Sequence, residues 1–293
     1  MKHAYLILAH NRFDVLRLLV DCLDDERNDI FIHFDRKVKD VPEVVASKSR
    51  LYVLKNRVNV SWGGSSMVEA EERLFKAAVG KGPYSYYHLL SGVDLPIKSQ
   101  DHIHAFFKEN EGKEFIGFAQ YDTKEMIESR MRRIHLFQSS FRYNDGIKSA
   151  IRFRFLSLQD RLGFRRSGRI PFYKGAQWVS VTDDMAKLFV SSRPWIKRVF
   201  SLTLLPDESV FQTLCVKAGF QDRLFSFTDE DLGEQRLVNW DRKKGIVRDW
   251  SYLDLDVLKT SDLLFARKFN GSDPDFLKAV KELSMKRSGD EDR

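Results

Sequence analysis

An α/β fold with a mostly parallel central sheet covered by helices on both faces is what this sequence predicts. Strand-length apolar runs alternate with helix-spaced segments through the first 120 residues, and the composition, 43% hydrophobic and 31% charged, is that of an ordinary globular protein. In such sheets ligands bind beyond the carboxyl ends of the strands, so the loops that follow the strands are where chemistry is to be sought.

The elements follow in order. Ala4 to Ala9 is a short apolar run, Phe13, Leu16, Leu19 and Leu23 recur at helical spacing, and Asp29 to Asp35 is apolar again, a strand, helix and strand. Leu51 to Leu54 reads as a third strand. Ser66 with Glu69 reads as a capping box for a helix carrying Met67, Ala70, Leu74 and Ala77 on one face. Tyr84 to Leu90 reads as a strand ending in the turn Ser91 to Pro96, followed by a helix over His102 to Lys108 and a strand at Glu114 to Ala119. From Tyr121 to Arg169 the periodicity blurs and arginines accumulate, which predicts an irregular or helical insertion. Ala176 to Val181 reads as a strand. Asp183 to Phe189, Asp207 to Ala218, Leu253 to Leu264 and Asp275 to Lys286 read as helices, with a frayed tail. No internal repeat or low-complexity linker interrupts the chain, so a single domain is expected. It divides into a first part over about 1–120, a second over about 121–270, and a C-terminal helix and tail over 271–293.

Two cysteines, Cys22 and Cys215, cannot build a disulfide framework, and no Cys/His cluster has zinc-site spacing. The opening apolar run is too short to span a membrane. A reducing, cytoplasmic setting is therefore expected. The net charge of +7 is uneven: Lys124 to Lys174 holds 13 Lys or Arg against 4 Asp or Glu, so that stretch carries +9 and the remainder about −2. Such a basic region suits an anionic ligand, an anionic membrane surface or nucleic acid, or is simply a solvated face. A non-catalytic polyanion- or nucleic-acid-binding protein is thus the alternative to an enzyme. No recognised nucleic-acid-binding motif accompanies the arginines, and nucleic acid is not the expected partner.

Eight phrases in order, AYLILAHNRFDVLRLL, IFIHFDRK, SWGGSSMV, YYHLLSGVDLPIKS, KGAQWVSVT, LLPDESVFQTL, RLVNW and LFARKF, give the chain from about Ala4 to Asn270 a resemblance to the core-2/I-branching N-acetylglucosaminyltransferases and peptide-O-xylosyltransferases, glycosyltransferase family 14. The resemblance implies a GT-A fold with a nucleotide-binding half over about 1–120 and an acceptor-side C-terminal half, acceptor-binding and catalytic, over about 121–270. It also implies an inverting transfer of N-acetylglucosamine or xylose from a UDP-sugar to an acceptor hydroxyl, with no metal or other cofactor. Golgi members carry an amino-terminal anchor and a cysteine-rich pattern that this chain lacks, which points to a bacterial-type member. Its acceptor is then expected to be a glycan or lipid-linked saccharide of surface glycan or polysaccharide synthesis, with peripheral contact to an anionic membrane through the basic stretch near Arg152 to Arg169.

Inversion by direct displacement needs a base for the acceptor proton and a positive group for the departing diphosphate. Glu208 matches the family's base, although an acidic pair Asp207-Glu208 in a first helical turn also complements the helix dipole. Lys268, in LFARKF, matches the lysine that contacts the UDP diphosphate, where an ammonium can stand in for a divalent ion. Arg248 is its candidate partner across an alignment gap, with Arg242 and Arg267 as alternatives. His10 and Asp35 follow the first two strands on the uridine side of the donor. Asp35 is placed either to accept ribose hydroxyl bonds or only to close a turn. Trp62 and Gly63 belong to a glycine-containing loop whose amides could approach the donor, or to a turn around a buried Trp. On the acceptor side, Trp240 matches an aromatic stacked on sugar, Arg130 aligns with an arginine, and Asp94 lies near where related GT-A enzymes hold a metal. A lone carboxylate there disfavours a divalent cation.

Overall fold

The computed structural model describes residues 1–138, 146–241 and 244–285. Its first half runs β1 (His3–Ala9), α1 (Phe13–Leu23), β2 (Asn28–Phe34), β3 (Arg50–Val53), α2 (Ser66–Val79), β4 (Tyr86–Ser91), β5 (Asp94–Pro96) and α3 (Gln100–Glu109). There follow α4 (Lys124–Met131), α5 (Gly146–Arg161), β6 (Ser180–Thr182), α6 (Asp183–Ser191), α7 (Arg193–Phe200) and α8 (Val210–Lys217). The chain closes with α9 (Glu230–Glu234), β7 (Arg236–Val238), β8 (Trp240–Asp241), β9 (Ile246–Val247), α10 (Leu255–Thr260), β10 (Phe265–Arg267) and α11 (Pro274–Met285).

The central sheet has the order β3-β2-β1-β4-β6. The first four strands are parallel and β6 runs antiparallel along β4, with Tyr86 opposite Thr182. All seven residues of β1 and of β2 are buried, as strands covered on both faces require. Alternation divides them: Leu6, Leu8 and Phe31 join a core beneath α2, α6 and α8, while Tyr5, Ile7 and Ile32 join a second core beneath α1, α3 and α11. Each fully buried Leu or Phe contributes about 1.5–3 kcal/mol. Small oxygen-bearing residues start the helices, with Ser99, Thr123 and Thr182 each accepting a backbone N–H from the first turn. A mixed α/β architecture with a mainly parallel sheet flanked by helices is what the sequence predicts.

Three local expectations are corrected. Ser66 does not cap α2, because its hydroxyl accepts the Ser61 N–H, and Glu69 pairs instead with Arg73. Glu114 to Ala119 is not a regular strand: Glu114 and Phe115 make only isolated bridges to Leu224 and Ser180. Further on, the Gly117 carbonyl is taken by the Gln212 side chain. The helix expected over Asp207 to Ala218 is broken. Pro206–Glu208 forms a separate single turn after Leu205, whose φ of 51° is left-handed. The Glu208 carbonyl, which a continuous helix would spend on residue 212, accepts Gly175 N–H at 2.9 Å instead. Both cysteines are free and buried. Among the described residues no helix is long and apolar enough to cross a membrane.

Candidate active site

The parallel strands β1, β2 and β4 end together, and the loops beyond them border a cleft of about 410 Å³. His10 and Arg12 line it after β1, Asp35 after β2, and Ser91 and Val93 after β4. The opposite wall is made by Trp62, Gln177 and Trp178, together with Arg267 and Lys268 from the end of β10.

Cations dominate one wall. The Arg267 guanidinium lies over the Trp178 ring at 4.2 Å, and its Nε is 3.7 Å from Asp94 Oδ1. Asp94 is fully buried; burial pushes its carboxyl above the usual range and Arg267 opposes that shift. Its other oxygen accepts the Ser91 N–H at 2.8 Å. Asp94 therefore supports the cationic wall from beneath. Lys268 stands further out, its Nζ 3.9 Å from Asp249 Oδ1, while Asp249 Oδ2 accepts from Asn270 at 2.8 Å and sits 3.6 Å from Arg12. Three cations held by two carboxylates, buried Asp94 and partly exposed Asp249, suit a ligand with two adjacent negative groups.

On the uridine side of the sequence expectation, His10 and Asp35 do meet in the cleft. Asp35 lines the cleft, and its Oδ1 accepts the Lys37 N–H at 2.8 Å to close the turn. Trp62 is not a buried turn residue but 47% exposed at the rim. Gly63 adopts φ 77°, a conformation for which glycine is suited, and its carbonyl accepts the Leu205 N–H at 3.0 Å.

That bond ties the cleft's rim to the Pro206–Glu208 turn. Glu208 itself does not line the cleft; it stands beside it, 30% exposed. Its Oε2 accepts from Arg130 at 3.2 Å and lies 3.6 Å from Lys174 Nζ, which is held at 2.6 Å by Asp122. Arg130 is thus adjacent to Glu208. Beneath the turn, Gln177 reaches from the cleft to donate to Glu71 at 2.6 Å. Burial, and then the Asp207 charge, push Glu71 far up. Burial, and then the Glu208 carboxylate, push Asp207 up to about 7. Perturbed carboxyls beside an ion-paired one mark the kind of place where stability is given up for chemistry.

The sign of that cost is testable. Asp207 binds its proton more tightly in the fold than at its ordinary value of 3.8, so it favours the fold at low pH and loses that stability as pH rises through about 7. Asp207→Asn is expected to raise Tm more at about pH 8 than at about pH 4 in thermal melts, and an equal shift at both would contradict the assignment.

Of the expected residues Lys268, His10, Asp35 and Trp62 line the cleft, and six do not: Glu208, Gly63, Arg130, Arg248, Trp240 and Asp94, the last fully buried and so closed to an acceptor. Arg248 is exposed and donates to Asn239 Oδ1 at 3.0 Å; Arg267 is the arginine that lies beside Lys268 in the cleft, and Arg242 falls outside the described residues. Trp240 is 52% exposed on the β8–β9 hairpin, opposite Val247. That hairpin is hung on the Arg267–Lys268 strand end through Asn239 N–H to Arg267 O and Trp250 N–H to Lys268 O. Sequence reasoning missed Lys174, Asp122, Gln177 and the Arg267 to Trp178 stack. Lys174, Gln177 and Trp178 were within its reach, all lying in the phrase KGAQWVSVT. Among the described residues no group of three or more His, Cys, Asp or Glu side chains could hold a metal.

A profile of the Core-2/I-branching enzyme family matches residues 3–256. Xylosyltransferase 2 of Mus musculus is 24% identical over 93% of this chain and 32% of its own length. Xylosyltransferase sqv-6 of Caenorhabditis briggsae is 22% identical over 73% of this chain and 25% of its own, and xylosyltransferase 1 of Rattus norvegicus 23% over 92% and 34%. The chain spans about a third or less of the length of these relatives. With its family's profile matched across most of its length and the cleft at the strand ends lined by the expected Lys268, the chain belongs to the Core-2/I-branching enzyme family.

Proposed function

We propose that the protein is an inverting, metal-independent glycosyltransferase of GT-A type, which moves N-acetylglucosamine or xylose from a UDP-sugar to an acceptor hydroxyl in surface glycan or polysaccharide synthesis. The observation that carries this reading is a cationic wall, Arg267 and Lys268, together with a partly exposed carboxylate, Glu208, whose turn is tied to the rim of the same cleft by the Leu205 N–H to Gly63 O bond. The relatives' names favour a xylosyl donor, and the resemblance of the phrases to the branching enzymes adds N-acetylglucosamine as the second candidate. The acceptor oxygen attacks the anomeric carbon from the face opposite the diphosphate. A new C–O bond forms, the bond to the β-phosphate oxygen breaks with its electron pair leaving on UDP, and the acceptor proton passes to Glu208. Arg130 and Lys174 hold the Glu208 carboxylate in place, and Lys268 with Arg267 neutralises the charge that grows on the leaving UDP.

The test is a UDP-release screen across common UDP-sugars with simple glycoside and lipid-linked acceptors, with and without EDTA. Release is expected with UDP-xylose or UDP-N-acetylglucosamine and is expected to be unchanged by EDTA. Release abolished by EDTA would contradict metal independence, and absence of both release and UDP affinity would contradict the donor class.

A further inference from the structure

The two fully buried side chains of α5 are polar: Gln159, 4% exposed, donates to Ile134 O at 3.0 Å and accepts Ile134 N–H at 2.8 Å, and Ser149 is buried as well, with Phe155 and Leu156 half-buried near them. Three of its four large aliphatic side chains face solvent, Ile147 at 80%, Ile151 at 45% and Leu158 at 50% exposure, with Leu162 just beyond the helix at 72%; the exposed ring of the helix, Phe153, lies on another face. Spacings of 4, 11 and 15 residues put these four on one stripe. Arg154, seven residues after Ile147, falls in the same stripe, Arg161 falls at its edge, and both are exposed. The one acidic residue of the helix, Asp160, is held by Arg133 and Arg165 at 3.0 Å each. A solvated helix normally places its aliphatic residues inward, so an apolar stripe laced with arginines marks a docking surface.

We propose that this stripe docks the protein on an anionic lipid surface, Ile147, Ile151, Leu158 and Leu162 entering the headgroup boundary while Arg154 and Arg161 reach to the lipid phosphates. Three arguments select that occupant. Arginine beside aliphatic side chains suits an interface with an apolar interior and a charged rim, because the long stem stays in the apolar layer while the guanidinium reaches out. Nucleic acid rewards stacking faces and phosphate contacts, and a stripe centred on Ile and Leu offers no ring to stack on. A second copy meeting this one about a twofold axis would bring the same arginine-laced stripe against itself, burying like charges.

The docking face is mechanically joined to the catalytic side. Gln159 clamps Ile134, and Arg166 N–H donates to Arg132 O, both in the segment that continues from α4, whose Arg130 holds Glu208. A membrane under α5 therefore lies next to the acceptor half, where a saccharide on a lipid carrier would present its hydroxyl. The docking itself does not rest on the donor chemistry, and it is read without turnover.

The experiment is vesicle co-sedimentation of the full chain at low salt, comparing phosphatidylcholine alone with phosphatidylcholine containing about one-third phosphatidylglycerol. Wild type is expected on the anionic vesicles only, with binding reduced by high salt. The double variant Ile151→Glu with Leu158→Glu, both at exposed positions where folding should survive, is expected to lose partitioning at least about tenfold with its melting curve unchanged. Arg154→Gln with Arg161→Gln is expected to lose part of it. Equal binding to both vesicle types, no binding at low salt, or a double variant that partitions like wild type overturns the proposal. So does a dimer or RNA complex that the double variant abolishes in a protein that ignores vesicles.

Discussion

Glu208→Gln is expected to lower turnover by about 10²- to 10⁴-fold, the usual contribution of a positioned general base. The substitution keeps shape and leaves an amide oxygen that can still accept from Arg130, so the 3.2 Å contact and the turn that carries it should persist. What is lost is the capacity to take the acceptor proton as the new bond forms. Glu208 is well placed to be reached, since it is partly exposed, while Asp207 beside it is buried. Steady-state UDP release with a saturating donor checks this. Turnover within a few-fold of wild type would remove Glu208 from the mechanism and leave it an ion-pair partner of Arg130 and Lys174.

Lys268→Ala is expected to lower kcat/KM by about 10- to 100-fold, which corresponds to the loss of one charge-assisted hydrogen bond of about 1.5–3 kcal/mol. The loss is expected to be partial because Arg267 stays on the same wall, supported from below by buried Asp94. Stability should hardly move. Lys268 is 41% exposed and its nearest carboxylate is 3.9 Å away, a surface pair of the kind worth about 0–1 kcal/mol. An unchanged kcat/KM would contradict the diphosphate role.

Much of the scaffold was legible in the sequence because it is local. β1, α1 and β2 announce themselves by period, and the burial of whole strands on both faces makes their apolar runs continuous. Where the reading failed, a distant partner decided the geometry. Gly175 takes the Glu208 carbonyl across 33 residues of chain and breaks a helix that spacing alone would continue. Gln212 takes the Gly117 carbonyl and ends the ladder expected over Glu114 to Ala119. The insertion over 121–169 looked aperiodic because α5 interleaves arginines with its aliphatic residues and faces them outward, so the inward-facing signature of a core helix is missing. Lys268 was readable as part of a phrase and lines the cleft, whereas Arg248, aligned across a gap, does not; Arg267, one of the alternatives the sequence offered, and Arg12 line the cleft with Lys268. The ion pair between Lys174 and Asp122 could not be foreseen, since Asp122 lies outside every matching phrase and nothing local links positions 52 residues apart.

The claim on which all of this depends is that one donor lies between Lys268 and Glu208, with the lysine holding the diphosphate and the carboxylate serving only the incoming hydroxyl. Titrating UDP into wild type, Lys268→Ala and Glu208→Gln reads that division directly. The expected result is affinity about 10- to 100-fold weaker for Lys268→Ala and unchanged for Glu208→Gln. Equal affinity in all three proteins, or loss confined to Glu208→Gln, would contradict it.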